Sequence, residues 1–195
     1  MNNIKKSFFV FTFLFLSCVS LFAQEEPSPR SLKGIELLSG FGKSKLREQG
    51  NYYLTPIIFD LDFDLNPILK NKGINLPGLF EFQLEPFISI VNKPNSNIEV
   101  GNTFILKLGI LPETFKFQPY IKAGVGFLYM SQHTREQATQ FNFLEQGGVG
   151  VHYFFNKNLA VTADWRLRHV SNAAIKQPNK GINGRFYLLG LTYRF

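Results

Sequence analysis

The 195-residue sequence predicts an all-β fold, an eight-stranded antiparallel barrel that crosses a membrane. Three observations carry that expectation. Segments of about ten residues recur in which large apolar and polar side chains alternate with a period of two, the mark of a strand. The polar positions hold charged residues, as where Asp60, Asp62 and Asp64 interleave with Phe59, Leu61 and Phe63, which suits an interior that is polar and an exterior that is oily. Beyond residue 23 no apolar run reaches the roughly 20 residues that a spanning helix needs.

The N-terminus reads as a secretory signal: Lys5 and Lys6, an apolar run from Phe8 to Leu16, then small residues up to Ala23, after which cleavage is expected. Cys18 lies inside this segment and is expected to be discarded with it. Phe15-Leu16-Ser17-Cys18 is a loose lipoprotein box, so lipid attachment at Cys18 stands as the alternative. Residues 24–195 then form one domain without a cysteine or a disulfide. It carries nineteen basic against fourteen acidic residues, an excess that favours an anionic surface or ligand.

The strands follow in order. The first lies near Ile35 to Phe41 and has the weakest alternation. The second alternates through Phe59, Leu61 and Phe63, and the third sets Phe80, Phe82 and Leu84 against Glu81, Gln83 and Glu85. Phe104 to Ile110 gives the fourth, Ile121 to Phe127 the fifth and Val149 to Phe155 the sixth, each apolar at every second residue. The seventh presents Leu159, Val161, Ala163, Trp165 and Leu167 on one face. In the eighth, Tyr187, Leu189, Leu191, Tyr193 and Phe195 share a face, and this ending resembles the C-terminal signature of bacterial outer-membrane barrels. A secreted β-sandwich ending on a strand is the alternative.

The connections mostly agree. Asn156-Lys157-Asn158 and Pro112-Glu113-Thr114 read as turns. With both termini in the periplasm, the stretch from Leu65 to Gly78 is long for a periplasmic turn, and a misplaced strand there is the alternative. Eight strands leave a lumen that side chains can fill, so a pore is not expected. A dinucleotide reading of Gly124-Val125-Gly126 fails because no helix follows.

The seventh strand carries the candidate chemistry. Its apolar face continues without a change of parity into His169 and Ser171. The strand runs outward from the turn at Asn156, so this pair lies near the outer rim and faces the outer leaflet. Polar side chains on a lipid-facing wall cost free energy unless they interact with each other or with a ligand. Residues two apart on one strand stand about 6.6 Å apart from the strand rise, close enough for an imidazole to reach a hydroxyl. A rim on which the strand has already left the membrane is the alternative.

The run His169-Val170-Ser171-Asn172 followed by Lys176-Gln177-Pro178-Asn179-Lys180-Gly181 resembles the signature of the lipid A 3-O-deacylase (PagL), or acyloxyacyl hydrolase, family. Gln118 to Gly126 is similar to a second, weaker family segment, and the likeness is clear from Gln118 to Phe195 and faint before it. The resemblance implies an outer-membrane serine esterase that hydrolyses the 3-O-linked acyl ester of lipid A and releases a 3-hydroxy fatty acid. It implies Ser171 as nucleophile, His169 as base, and the Asn172 side chain with the Ala174 backbone N–H as the oxyanion hole. The family usually has glycine at the position of Ala174; alanine still offers the N–H, so little is lost if its backbone angles are ordinary. It implies lipid A and outer-membrane lipids as partners, no nucleic acid and no cofactor; a homodimer is left open.

One position departs from the family. Asn183 stands where the best-known members have a glutamate that orients the histidine, and an amide can accept the imidazole N–H but cannot stabilise an imidazolium by charge. Register offers a rival, since a symmetric turn centred on Lys157 places Glu145 opposite His169 on the same outward face. Asp164 has the wrong parity. His133 and His152 share no metal-like spacing, so no metal site is expected, and His152 reads as a hydrogen-bonded lumen residue. Arg166, Arg168 and Arg185 fit either lipid A phosphates at the rim or lumen charges. The alternatives to a hydrolase are a non-catalytic barrel, structural or adhesive, and a lipid A acyltransferase.

Overall fold

The computed structural model describes residues 32–195; the expected signal, residues 1–23, lies outside the described residues. Eight strands close into one antiparallel barrel in sequence order: β1 (Leu32–Leu46), β2 (Gly50–Asp64), β3 (Phe80–Lys93), β4 (Asn97–Gly109), β5 (Phe117–Met130), β6 (Phe141–Phe154), β7 (Leu159–Ser171) and β8 (Ile182–Arg194). β8 returns to β1 over an unbroken register from Gly34 opposite Arg194 to Ser44 opposite Gly184, so no sheet edge is left unpaired. The strands run 13 to 15 residues, longer than the alternating segments read from sequence. The extra turns of strand carry polar side chains outward near the rims, as at Lys43 and Lys45, where oily alternation stops although backbone pairing continues.

The stretch from Leu65 to Gly78 hides no strand. Pro67 sits in the first turn of a short helix α1 (Asn66–Asn71), and the Asn66 N–H donates to the Asp64 carboxylate at 2.9 Å. The Asn66 amide donates to the Gly78 carbonyl, and the Leu65 N–H to the Phe80 carbonyl, which folds the connection back on itself.

Inside, charges meet their partners. Lys107 reaches Glu36 at 2.6 Å and Glu81 at 2.8 Å, Lys122 reaches Asp164 at 2.7 Å, and Arg168 reaches Glu99 at 2.9 Å. Arg166 bridges Asp164 and Glu85. Asp60 and Asp62 are buried in this network, while Asp64 stands at its edge. Burial of so many ions is tolerable because cations and carboxylates are interleaved, while among the described residues Asp60 meets only the Gln83 amide, at 3.4 Å. The outer wall is apolar, and rings of Phe63, Phe82, Phe104, Phe127 and Phe141 follow one another around it with centroids 6.0 to 6.4 Å apart. No described helix is long and apolar enough to cross a membrane; the barrel crosses with strands.

At the rim opposite Leu32 and Arg194, three connections are tied together. Residues 47–49, 131–140 and 172–181 meet through Glu136, whose carboxylate accepts the Arg47 N–H at 2.7 Å, and through Glu48, which pairs with Lys180 at 3.0 Å and Arg135 at 3.1 Å. A β-bridge joins Gln137 to Asn179. The Lys180 N–H donates to the Glu136 carbonyl.

Candidate active site

β7 alternates strictly, so its odd residues face outward as far as Ser171, its last residue. His169 and Ser171 are both half-buried on that wall, at the rim where the three connections meet. Register places Asn183 of β8 on one side of His169 and Glu145 of β6 on the other. Both expected orienters therefore flank the ring. The contact is made by Asn183: His169 Nδ1 lies 2.6 Å from its Oδ1. An amide oxygen only accepts, so in the neutral ring the proton sits on Nδ1 and Nε2 keeps its lone pair. Among the described residues no hydrogen bond occupies Nε2, and none yet joins it to the Ser171 hydroxyl; such contacts often tighten only with substrate in place.

Gly181 gives the imidazole room. Its φ of +70° and the His169 Cε1 only 2.6 Å from where a Cβ would stand leave space for no side chain. The glycine of the signature therefore acts as the floor beneath the ring.

After Ser171 the chain turns sharply. Ala173 and Ala174 have φ of 53° and 63°, and the Ile175 N–H donates to the Asn172 carbonyl at 3.0 Å. Two left-handed residues inside such a hydrogen bond make a type I′ turn, which favours Gly, Asn or Asp. The condition of ordinary angles at Ala174 is not met: alanine sits there at a cost of roughly 1–2 kcal/mol, and the family's glycine is explained by the turn. Ala174 is exposed, and its N–H takes no part in the backbone hydrogen bonds of the loop.

Asn172 is placed differently from its expected role. It falls on the inward parity and is fully buried, and its side-chain amide donates to the carbonyls of Lys176 at 2.7 Å and Pro178 at 3.4 Å. Its amide hydrogens hold the loop, rather than standing open beside Ser171.

Sequence reasoning missed Gln137. This buried residue reaches in from the 131–140 connection, accepts the Asn172 N–H at 3.1 Å and donates to the Val170 carbonyl at 3.4 Å. It clasps the backbone immediately before and after Ser171. No local pattern marks it, because its targets lie more than thirty residues away. Arg166 and Arg168 point into the lumen, whereas Arg185 points outward, which divides the three arginines left open by sequence. His152 is a lumen residue with Nδ1 2.8 Å from the Thr162 hydroxyl, and His133 is exposed in the 131–140 connection.

The family model described as lipid A 3-O-deacylase (PagL) matches residues 70–194, more than half of the sequence and all of β3 to β8. The chain belongs to the lipid A 3-O-deacylase family. Its barrel resembles the crystal structure of the outer-membrane enzyme PagL over 80% of this chain and 97% of that one, with a TM-score of 0.56 at 18% identity. It also resembles Neisserial surface protein A, with a TM-score of 0.63 at 12% identity over 84% of this chain and 97% of that one. At such identities these likenesses establish the fold. No curated protein matches the sequence.

Proposed function

We propose that this barrel lies in the bacterial outer membrane and hydrolyses the 3-O-linked acyl ester of lipid A, with Ser171 as nucleophile. The observation that carries the reading is the His169 Nδ1 to Asn183 contact of 2.6 Å, which fixes the tautomer and leaves Nε2 as a base on the wall that carries Ser171. Residues 1–23 serve as the export signal.

In this mechanism His169 Nε2 takes the Ser171 proton as the hydroxyl oxygen attacks the ester carbonyl. The Ala174 N–H faces the developing oxyanion. Asn172 keeps the turn in place and thereby sets the direction of that N–H. His169 returns the proton to the departing sugar hydroxyl, leaving an acyl-serine, and a water activated by the same nitrogen then releases the 3-hydroxy fatty acid. Glu145, directly across from His169, places a carboxylate beside the imidazolium that forms. A membrane-wall site suits a substrate that resides in the outer leaflet.

Mass spectrometry of lipid A from cells expressing wild type or Ser171→Ala tests the reading. Wild type is expected to remove one hydroxyacyl chain, and Ser171→Ala to leave lipid A intact while still migrating as a folded barrel. Deacylation by Ser171→Ala would overturn the nucleophile. Unaltered lipid A with wild type would favour a non-catalytic barrel, and a gain of mass an acyltransferase.

A further inference from the structure

The outward faces of β1 and β8 near the same rim hold three cations without a counterion. Lys43 lies directly opposite Arg185 in the register, and Lys45 follows on β1. All three are exposed, and none enters an ion pair or hydrogen bond among the described residues. The contrast with their neighbours is sharp, because the lumen cations Lys107, Lys122 and Arg168 each hold a carboxylate. Like charges facing each other across a strand pair repel, and here they do so on a wall that borders lipid. An anion between them converts the repulsion into paired, charge-assisted contacts.

Position gives that anion a purpose. Arg185 stands two residues along β8 from Asn183, the partner of His169. The β1–β8 register, continued by one residue, sets Lys45 level with Asn183 and therefore with His169. From strand spacing and rise, Lys45 and Ser171 have Cα atoms about 12 Å apart, a span that extended side chains and one phosphorylated sugar can bridge. The other side of Ser171 is different. Phe143 lies directly opposite the serine, and its ring meets Phe141 edge-on at 5.7 Å and through it the aromatic series of the wall. The nucleophile thus sits on a boundary, with cations to one side and rings to the other.

We infer that Lys43, Arg185 and Lys45 form a phosphate site for the head group of the lipid, which orients the sugar so that the acyl ester meets Ser171 and the acyl chain lies along Phe143. This deepens the hydrolase reading and rests on it. The phosphate is that of the substrate lipid itself, held at the membrane surface.

The test compares bisphosphorylated lipid A with the same lipid after enzymatic dephosphorylation, in detergent micelles, for wild type and the Lys43→Gln/Arg185→Gln double variant. Wild type is expected to favour the phosphorylated lipid about tenfold or more in KM, the scale of one or two charge-assisted contacts. The double variant loses that preference and hydrolyses the dephosphorylated lipid as wild type does. Wild-type KM for the phosphorylated lipid in the double variant overturns the site. A second arm needs no turnover: Ser171→Ala protein is titrated with each lipid and followed by emission of Trp165, the single tryptophan, which faces outward on β7. Tighter binding of the phosphorylated lipid, lost when Lys43→Gln and Arg185→Gln are added to Ser171→Ala, supports the site even if wild type hydrolyses neither lipid and the esterase reading falls. Equal binding of both lipids overturns the site while leaving the esterase reading standing. Heat-modifiable migration on gels shows that each variant is folded.

Discussion

The barrel holds two histidines in opposite circumstances. His152 lies in the lumen with no exposure, its Nδ1 between the hydroxyls of Thr162 and Thr192 and its Nε2 3.5 Å from the Lys107 ammonium and 3.6 Å from Glu36. His169 sits half-buried on the wall with one nitrogen held by Asn183 and the other unoccupied. Both rings are fixed in place, but only the second has a coordination site left to use. In the lumen both ring nitrogens have polar neighbours and the histidine serves the fold; on the wall one nitrogen is left without a partner among the described residues, and under the proposed function that place is the substrate's. The same division separates Arg168, paired with Glu99, from Arg185, paired with nothing described. The groups left without a partner are those that the proposed function uses.

Exchanging the histidines is the strongest way to break this comparison. His169→Gln is expected to lower kcat by about 10³-fold or more, as loss of a general base does in serine hydrolases, with the barrel still folded. His152→Gln is expected to leave kcat within twofold and to lower the temperature of barrel unfolding. A lipid A deacylation assay and a thermal gel shift separate the two; a kinetic loss from His152→Gln would sink the division between lumen and wall.

Next in size is the choice of orienting group. Asn183→Ala is expected to cost about 10- to 100-fold in kcat by freeing the ring, while Asn183→Glu raises kcat because a carboxylate stabilises the imidazolium that an amide cannot. Glu145→Gln is expected to cost less than Asn183→Ala. The reverse order in single-turnover rates would hand the orienting role to Glu145.

Gln137→Ala removes the clasp around Ser171 without touching substrate. It is expected to lower kcat about tenfold with KM unchanged, since small misplacements of a nucleophile are costly. Gln137→Glu, which still accepts the Asn172 N–H, is expected to recover part of that loss. A uniform loss in both variants, accompanied by early unfolding, would make Gln137 a purely structural tie.

The smallest effect concerns the exposed Glu48, whose carboxyl is held below its ordinary value by hydrogen bonds from Lys180 and Arg135. A lowered folded value means the tie is present above the ordinary glutamate range and lost as pH falls through the lowered one. Amide exchange in residues 131–140 and 172–181 is expected to quicken below about pH 4, the range of glutamate titration, and to do so less in high salt. Glu48→Gln is expected to remove the pH step while leaving exchange in the strands unaltered.

Much of this could be read in the sequence, because a wall in lipid forces a period of two and parity then fixes which side every residue faces. That rule put His169, Ser171 and Glu145 on one surface, turn symmetry paired Glu145 with His169, and the family resemblance supplied Asn183. The same rule was not carried on to residue 172, where the family signature suggested an oxyanion hole and the structure turns the Asn172 side chain inward. Alternation could not give the full length of the strands, since at Lys43 and Lys45 pairing continues after the oily pattern ends. Nor could it give the left-handed Ala173 and Ala174, because alanine has no preference that would announce such a turn. Gln137 stayed hidden for a different reason: its role depends on how two rim connections cross, which no strand pattern encodes.

The outward parity of Ser171 also determines how such a protein would experience its surroundings. A site on the wall is reached by lateral diffusion within one leaflet, so turnover depends on the mole fraction of substrate among neighbouring lipids rather than on its amount in solution. Diluting the membrane with inert lipid would slow the reaction at constant total substrate, and stiffening the leaflet would slow it again. The barrel serves as a fixed post past which a two-dimensional fluid flows.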